Sequence, residues 1–320
     1  MNLLIVAIGG GTGLSTLLRG LKNFDVDIVA IVTVTDEGGS SGILRREYRI
    51  PPPGDVRNNI VALAEDESLI AKLLQYRFDG NGSLAGHSLG NLMLAALTKM
   101  LGSFPRAIEA LSDILAIKGR VLPVTDEMVR LVAKKSNGEI VIGEEAISKR
   151  EGRVEEIKLD KSASALDEVV ENLKKADMIV VGPGSLYTSV IANFLIDGVG
   201  EAIRDNGRAV KIYVANIMTQ PGETEGYTLY DHYKEVVKYS GVKFDAVLVN
   251  SQPPPQDVLE RYKKEKADMV SIDFERFDIP VILEPMVTLV TDERDGKIKV
   301  RHDPMKLAEA VLNFKGWKKQ

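Results

Sequence analysis

Two segments of this chain expose backbone where an anion could be held. Gly9-Gly10-Gly11-Thr12-Gly13 and Gly182-Pro183-Gly184-Ser185 each follow an apolar, β-branched run and precede a helical pattern. Glycine lets backbone N–H groups approach a phosphate closely, and a helix start adds the positive end of its dipole. The first turn nevertheless satisfies neither familiar phosphate motif. Counted from Gly9, the last position of Gly-x-Gly-x-x-Gly is Leu14; counted from Gly11 it is Thr16; and no Lys-Ser/Thr pair follows. The expected chemistry is a backbone phosphate cradle at Gly10, Gly11, Thr12 and Gly13, helped by the hydroxyls of Thr12 and Ser15.

Further polar groups stand at comparable places. Asp36 lies about twenty residues beyond the glycine turn, where a dinucleotide-binding protein places its ribose carboxylate, and Gly38-Gly39-Ser40-Ser41-Gly42 follows as a flexible, hydroxyl-bearing loop. Pro51-Pro52-Pro53 stiffens the chain ahead of Gly54-Asp55-Val56-Arg57-Asn58-Asn59. Asp55 is read either as a helix cap or as a ligand-facing carboxylate, while the planar fork of Arg57 suits a phosphate or carboxylate. His87 and Asn91 open another helix, Tyr187 and Thr188 follow Ser185, and Asn216 and Gln220 lie in an amide-rich loop. Asn250-Ser251-Gln252 repeats that arrangement. Five polar loops after strands on one side of a sheet imply a wide polar crevice.

The elements that must hold these loops are those of an α/β protein. Leu3–Ile8, Ile28–Val34, Met178–Val181, Val210–Ala215 and Ala246–Val249 are short apolar runs, as expected of parallel strands covered on both faces. Helical spacing is expected at 14–21, 57–64, 69–75, 89–99, 164–175, after Ser185, and at 304–314. Between 121 and 160 the runs shorten and Asn137-Gly138 gives a hairpin signal, so this stretch is expected to be an antiparallel β insertion within a single α/β domain spanning 1–320. Trp317 is expected to pack.

Composition narrows the function classes. The 320 residues are 44% apolar and 27% charged with a net charge of −5, which suits a packed globular protein and argues against a nucleic-acid binder. No cysteine occurs, which excludes disulfides, thiolate metal sites and cysteine nucleophiles; three scattered histidines make a histidine-rich metal site unsuitable. The N-terminal apolar run is too short for a signal peptide and no window approaches a membrane span, so the expectation is cytoplasmic, with no membrane partner. A homo-oligomer is allowed.

Together the motifs resemble the gluconeogenesis factor family, a UDP-sugar-binding morphogenesis group related to 2-phospho-L-lactate transferase. The matching residues are Gly9–Ser15, Asp36–Gly42, Gly54–Asn59, His87–Leu92, Gly182–Val190 and Asn216–Thr224, in order along nearly the whole chain. The resemblance implies a Rossmann-like three-layer α/β/α fold with a mostly parallel sheet, a UDP-sugar or similar nucleotide in the crevice, and a role in carbon metabolism and cell shape on gluconeogenic carbon sources. The related transferases move a phospholactyl group from a guanosine diphosphate conjugate using acidic residues and a divalent ion. Asp36 and Asp55 match those acids, so catalysis and Mg2+ are assigned to them if the chain is an enzyme. Two departures separate it from that branch: Leu14-Ser15-Thr16 replaces a proline–lysine step, and Glu37 replaces the second acid of an Asp-Asp pair.

The expectation is therefore a nucleotide-sugar-binding regulatory protein, with a Mg2+-dependent transferase as the alternative. Gly10–Gly13 hold the diphosphate, Asp36 and Asn216 serve the sugar or nucleoside side, and Gly184–Thr188 close the opposite wall. An NAD-dependent oxidoreductase fits less well because the fingerprint spacing fails. A tubulin-like GTPase places its glycine string after a later strand.

Overall fold

The computed structural model describes residues 2–65, 69–292 and 296–314; Trp317 lies outside them. Seven described strands form one wholly parallel sheet: β1 (Leu4–Gly9), β2 (Asp27–Val32), β3 (Arg120–Pro123), β7 (Met178–Val181), β8 (Val210–Val214), β9 (Ala246–Asn250) and β10 (Val281–Glu284). Their order is β10-β9-β8-β7-β1-β2-β3. The chain adds β2 and β3 on one side of β1, then crosses to build β7 to β10 on the other. The order thus reverses between β1 and β7, and in an open parallel sheet ligands bind beyond the strand ends at that point.

Burial follows from the sequence runs. Ile5–Ile8 and Met178–Val181 are fully buried because helices cover both faces of the sheet. On one face α1 (Gly11–Leu21) packs against α3 (Gly54–Leu63) and against the C-terminal helix Pro304–Leu312. That crossing is close at Gly20, where a Cβ would strike the Pro304 carbonyl oxygen and stand 2.7 Å from the Ala308 Cβ. Gly20→Ala should therefore push the two helices apart and destabilise the protein by about 1–3 kcal/mol. A denaturation midpoint equal to wild type would sink that account.

The insertion is smaller than its sequence pattern. The run at 121–125 is not part of it: Val121–Pro123 pairs with β2 as the last strand of the parallel sheet. The antiparallel sheet consists of β4 (Leu131–Lys135), β5 (Ile140–Ile142) and β6 (Val154–Leu159), in the order β5-β4-β6, with the helix Glu144–Lys149 connecting β5 to β6. Length alone could not tell a short parallel strand from a short antiparallel one. The Asn137-Gly138 hairpin is present, with Gly138 at φ +84° as such a turn requires. Buried Lys135 fastens the insertion to the rest, its Nζ donating to the carbonyls of Ile147 and Gly222. A second antiparallel pair, β11 (Val287–Thr291) and β12 (Ile298–His302), lies outside the main sheet and follows no signal used above.

Candidate functional site

The glycine turn after β1 is built by close approaches. Gly10 caps α1 in extended backbone, and a Cβ there would lie 2.6 Å from Thr33 Cγ2 and 2.8 Å from Asp55 Oδ2. Gly11 has φ +57°, a conformation costly for a side chain, and its N–H donates to the Asp55 carboxylate. At Gly13 a Cβ would strike the Pro183 carbonyl oxygen and stand 2.9 Å from Gly184 Cα, so the turns after β1 and β7 touch. The cap residue has no side chain, and the N–H groups of a first helical turn have no intrahelical partner; those of Thr12 and Gly13 are thus free for an anion. Ser15 and Thr16 are not: their hydroxyls turn back to the Thr12 carbonyl, at 3.0 and 2.8 Å.

The acids converge beside this turn. Gly38–Gly42, expected as a loop, caps and opens the helix α2 (Gly39–Tyr48), and the Gly38 N–H and Ser41 hydroxyl both donate to Asp36. Gly54 makes room, since a Cβ there would strike Asp36 Oδ2 and Ser41 Oγ. Asp55 sits in the first turn of α3 without capping it and faces Gly10 and Gly11. Burial, then the neighbouring Asp36 charge, pushes the Asp55 carboxyl up to about 7. Burial raises Asp36 as well. Arg57, lowered to about 10 chiefly by burial, is the cation between them, and its Nη2 donates to Asn58 Oδ1 at 2.6 Å.

Glu37 does not serve as a second acid. Its carboxylate accepts from Arg45 Nη1 at 2.8 Å and from Arg130 Nε and Nη2 at 2.7 and 2.9 Å, and it is absent from the crevice wall. Two arginines satisfy it, and they tie α2 to the insertion. The crevice carboxyl that joins Asp36 and Asp55 is instead Glu144, at the start of the insertion's helix, raised to about 8 by burial and then by Asp36 and Asp55. The sequence carried no sign of this, because Gly143-Glu144-Glu145 looks like an ordinary acidic helix start.

The crevice has a volume of about 1330 Å³. It brings together Gly10–Gly13, Asp36, Ser40, Ser41, Asp55, Arg57, Asn58, Asn91, Gly184, Ser185, Thr188, Asn216 and Gln220; the groups near 10–13, 36–41, 184–188 and 216–220 follow strand ends, whereas Asp55, Arg57, Asn58 and Asn91 come from the starts of helices that follow other helices. Ser40 Oγ lies 2.9 Å from His87 Nδ1 and accepts from Asn91 Nδ2 at 3.2 Å, joining α2 to α5 (Leu89–Leu101, with the intervening α4 at Leu69–Gln75). On the other wall Gln220 Nε2 donates to Ser185 Oγ at 2.7 Å, and Gly184 N–H donates to Asn216 Oδ1 at 3.4 Å. Tyr187 departs from expectation. It is fully buried with its hydroxyl 2.7 Å from that of Tyr227, because the helical stretch after Ser185 turns this side chain into the core. The Asn250 loop also turns away: its side chain bonds Gln252 and the Met286 N–H, fixing the approach to β11.

One part of the wall had no sequence warning. Tyr262, Lys299, Val300, Arg301 and His302 line the crevice next to Ile217 and Met218. Tyr262 is positioned by its hydroxyl, which accepts the Val300 N–H at 2.9 Å. His302 is held near 4 by burial and by Arg301, and so is neutral at pH 7. The alternation of basic and apolar residues at 297–302 is the signal that could have marked this strand.

Several buried polar atoms of crevice residues have no hydrogen-bond partner: Arg57 Nε, Asn91 Oδ1 and Gln220 Oε1. Unpaired buried polar atoms are rare and costly, and the residues that carry these line one cavity. Among the described residues no three His, Asp or Glu side chains are grouped closely enough to hold a metal ion by themselves, and no helix is long and apolar enough to cross a membrane.

The model of the 2-phospho-L-lactate transferase CofD family matches residues 5–287. A Thermotoga maritima protein is 55% identical over 314 residues, covering 98% of this chain and 99% of its own. The gluconeogenesis factors of Halalkalibacterium halodurans and Bacillus subtilis are 45% and 43% identical, each over 97% of this chain and 96% and 97% of their own. The crystal structure of a Bacillus halodurans protein, 44% identical, superposes with a TM-score of 0.91 over 98% of this chain and 100% of that one. With the glycine turn, the strand order and the crevice all in place over the matched length, the chain belongs to the 2-phospho-L-lactate transferase CofD family.

Proposed function

We propose that this chain is a cytoplasmic nucleotide-sugar-binding factor, with a UDP-sugar as ligand, acting in gluconeogenic growth and cell-shape control. The observation that carries the binding reading is the gathering of polar groups, including Arg57, Asn91 and Gln220 with one unpartnered polar atom each, along a crevice at the switch point of the sheet. The physiological part rests on the gluconeogenesis factors to which the chain is similar.

Sheet order supplies the layout. The strands run β8-β7-β1-β2, so the residues after β8 and after β2 are three spacings apart, about 14 Å. The diphosphate belongs in the middle, on the Thr12 and Gly13 N–H groups between the two turns. The nucleoside belongs at the β8 end, against Tyr262, Arg301 and Asn216. The sugar belongs at the β2 end, near Asp36, Arg57 and Asn91. The crevice volume, about 1330 Å³, leaves room for a ligand of three parts.

Binding is favoured over transfer because no cation stands where the related transferases carry lysine. Leu14 is fully buried and the Ser15 and Thr16 hydroxyls are bonded to Thr12, which leaves a transferred phosphate one stabiliser short. The transferase alternative keeps one observation, the adjacent Asp36 and Asp55. These two could hold Mg2+ with diphosphate oxygens and water completing its shell, the usual arrangement for that ion. Loss of turnover of a nucleotide-diphosphate conjugate in Asp55→Asn would favour it. The main reading is tested by calorimetric titration with UDP-N-acetylglucosamine. Wild type should release heat and Thr12→Arg, at an exposed crevice position, should bind at least a hundredfold more weakly; no heat with any nucleotide sugar would sink it.

A further inference from the structure

We infer that Glu144 is the sugar-recognition residue of this crevice, brought in by the antiparallel insertion to exchange hydrogen bonds with the hydroxyl and amide groups of the glycosyl half of the ligand. The inference rests on the nucleotide-sugar reading above and assigns one of its halves to a named group.

Three observations carry it. The first is position. Glu144 lines the crevice at the end that holds Asp36 and Asp55, the end left for the sugar once the diphosphate occupies the glycine turns.

The second is fixation. Gly143 has φ +99°, and a Cβ there would strike Glu37 Oε2, so the turn before Glu144 lies hard against that carboxylate. Glu37 is itself clamped by Arg45 and Arg130, and its backbone N–H donates to the Glu144 carboxylate. A chain of charged and backbone contacts therefore runs from α2 through Glu37 to the insertion and sets where the Glu144 side chain stands. Preorganised groups of this kind bind without first losing side-chain freedom.

The third is that the fold gives this carboxyl no cationic partner. Glu144 forms no ion pair with any described residue, whereas its neighbour Glu145 pairs with Lys149 at 2.5 Å. Placing a largely buried carboxyl beside two others costs stability, and such a cost at a crevice wall marks a ligand contact. A carboxyl raised to about 8 is mostly protonated near pH 7, and its hydroxyl donor and carbonyl acceptor suit vicinal sugar hydroxyls, each of which can both donate and accept.

The test compares the affinities of UDP, UDP-glucose and UDP-N-acetylglucosamine by calorimetry for wild type, Glu144→Ala and Glu144→Gln. Wild type should bind the two sugars more tightly than UDP. Glu144→Ala should lower that ratio about tenfold, the worth of one or two hydrogen bonds between uncharged groups, and Glu144→Gln should fall between. Thermal unfolding confirms that each variant is folded. An unchanged ratio, or equal weakening of UDP and its sugars, overturns the assignment while leaving the nucleotide-sugar reading standing. Wild type that binds none of the three ligands overturns both, and that result appears before any variant is made.

Discussion

Asp55→Asn should make the ligand-free protein more stable at pH 8, by up to about 4 kcal/mol, while changing little near pH 4. The sign follows from proton counting. The folded protein holds the Asp55 proton up to about pH 7, whereas an unfolded aspartate with the ordinary value of 3.8 releases it much earlier. Between those values the native state binds more protons, so the Asp55 contribution to wild-type stability falls as pH rises and levels off above about 7. The upper limit comes from roughly 1.4 kcal/mol for each unit of difference between the two states. Asparagine carries no proton to lose, fills the same space and keeps a carbonyl oxygen for the Gly11 N–H. The slope that remains belongs to Asp36 and Glu144, both raised, whose burden eases once the Asp55 charge is gone. Urea midpoints from pH 4 to 8, in the absence of nucleotide and divalent ions, are the measurement. Parallel profiles for wild type and variant would show that Asp55 is not buried against Asp36 as described.

The second large effect is expected at Gly13. Alanine there meets backbone on the neighbouring turn, the Pro183 carbonyl and Gly184 Cα, and backbone cannot swing aside as a flexible side chain can. The turns after β1 and β7 must separate, which opens the contact that brings the Thr12 and Gly13 N–H groups opposite Gly184. Gly13→Ala should cost about 3 kcal/mol, the upper part of the range for overpacking, and should also abolish nucleotide-sugar binding. Gly39→Ala is the control, because nothing lies within 4 Å of its Cβ position, although its φ of +44° carries a smaller strain of its own. If Gly13→Ala bound nucleotide sugar normally and melted with wild type, the two glycine turns could not be acting as one cradle.

Both effects turn on residues that the sequence singles out, yet neither magnitude was readable there. Gly13 and Asp55 are conspicuous by type and spacing. That Asp55 leans against Gly10 and that Gly13 touches Pro183 are facts about segments 45 and 170 residues apart in the chain. The same distinction separates Tyr187 from Thr188: adjacent in one polar loop, one points into the core and the other lines the crevice, because a helical turn rotates neighbours about 100° apart.

What the sequence determined by itself is the class of fold and the central part of the site. Continuous apolar runs of strand length, each ending in glycine, hydroxyl or amide residues, admit few arrangements other than a covered parallel sheet. Such a sheet puts all its carboxyl-end loops on one side. That the glycine turn, Asp36, Asn216 and Gln220 share one crevice follows from that alone; Asp55, Arg57 and Asn91 reach it from helices that lie between β2 and β3 in the chain. Tertiary structure decided what comes from outside the alternation: Glu144 from the insertion, Tyr262 and Arg301 at the far end, and Glu37 withdrawn from the site by two arginines. Local pattern reports which face of an element is apolar, because that periodicity is written in neighbouring residues. It does not report which distant element is folded over the opening, because that depends on contacts between segments whose separation along the chain carries no signal.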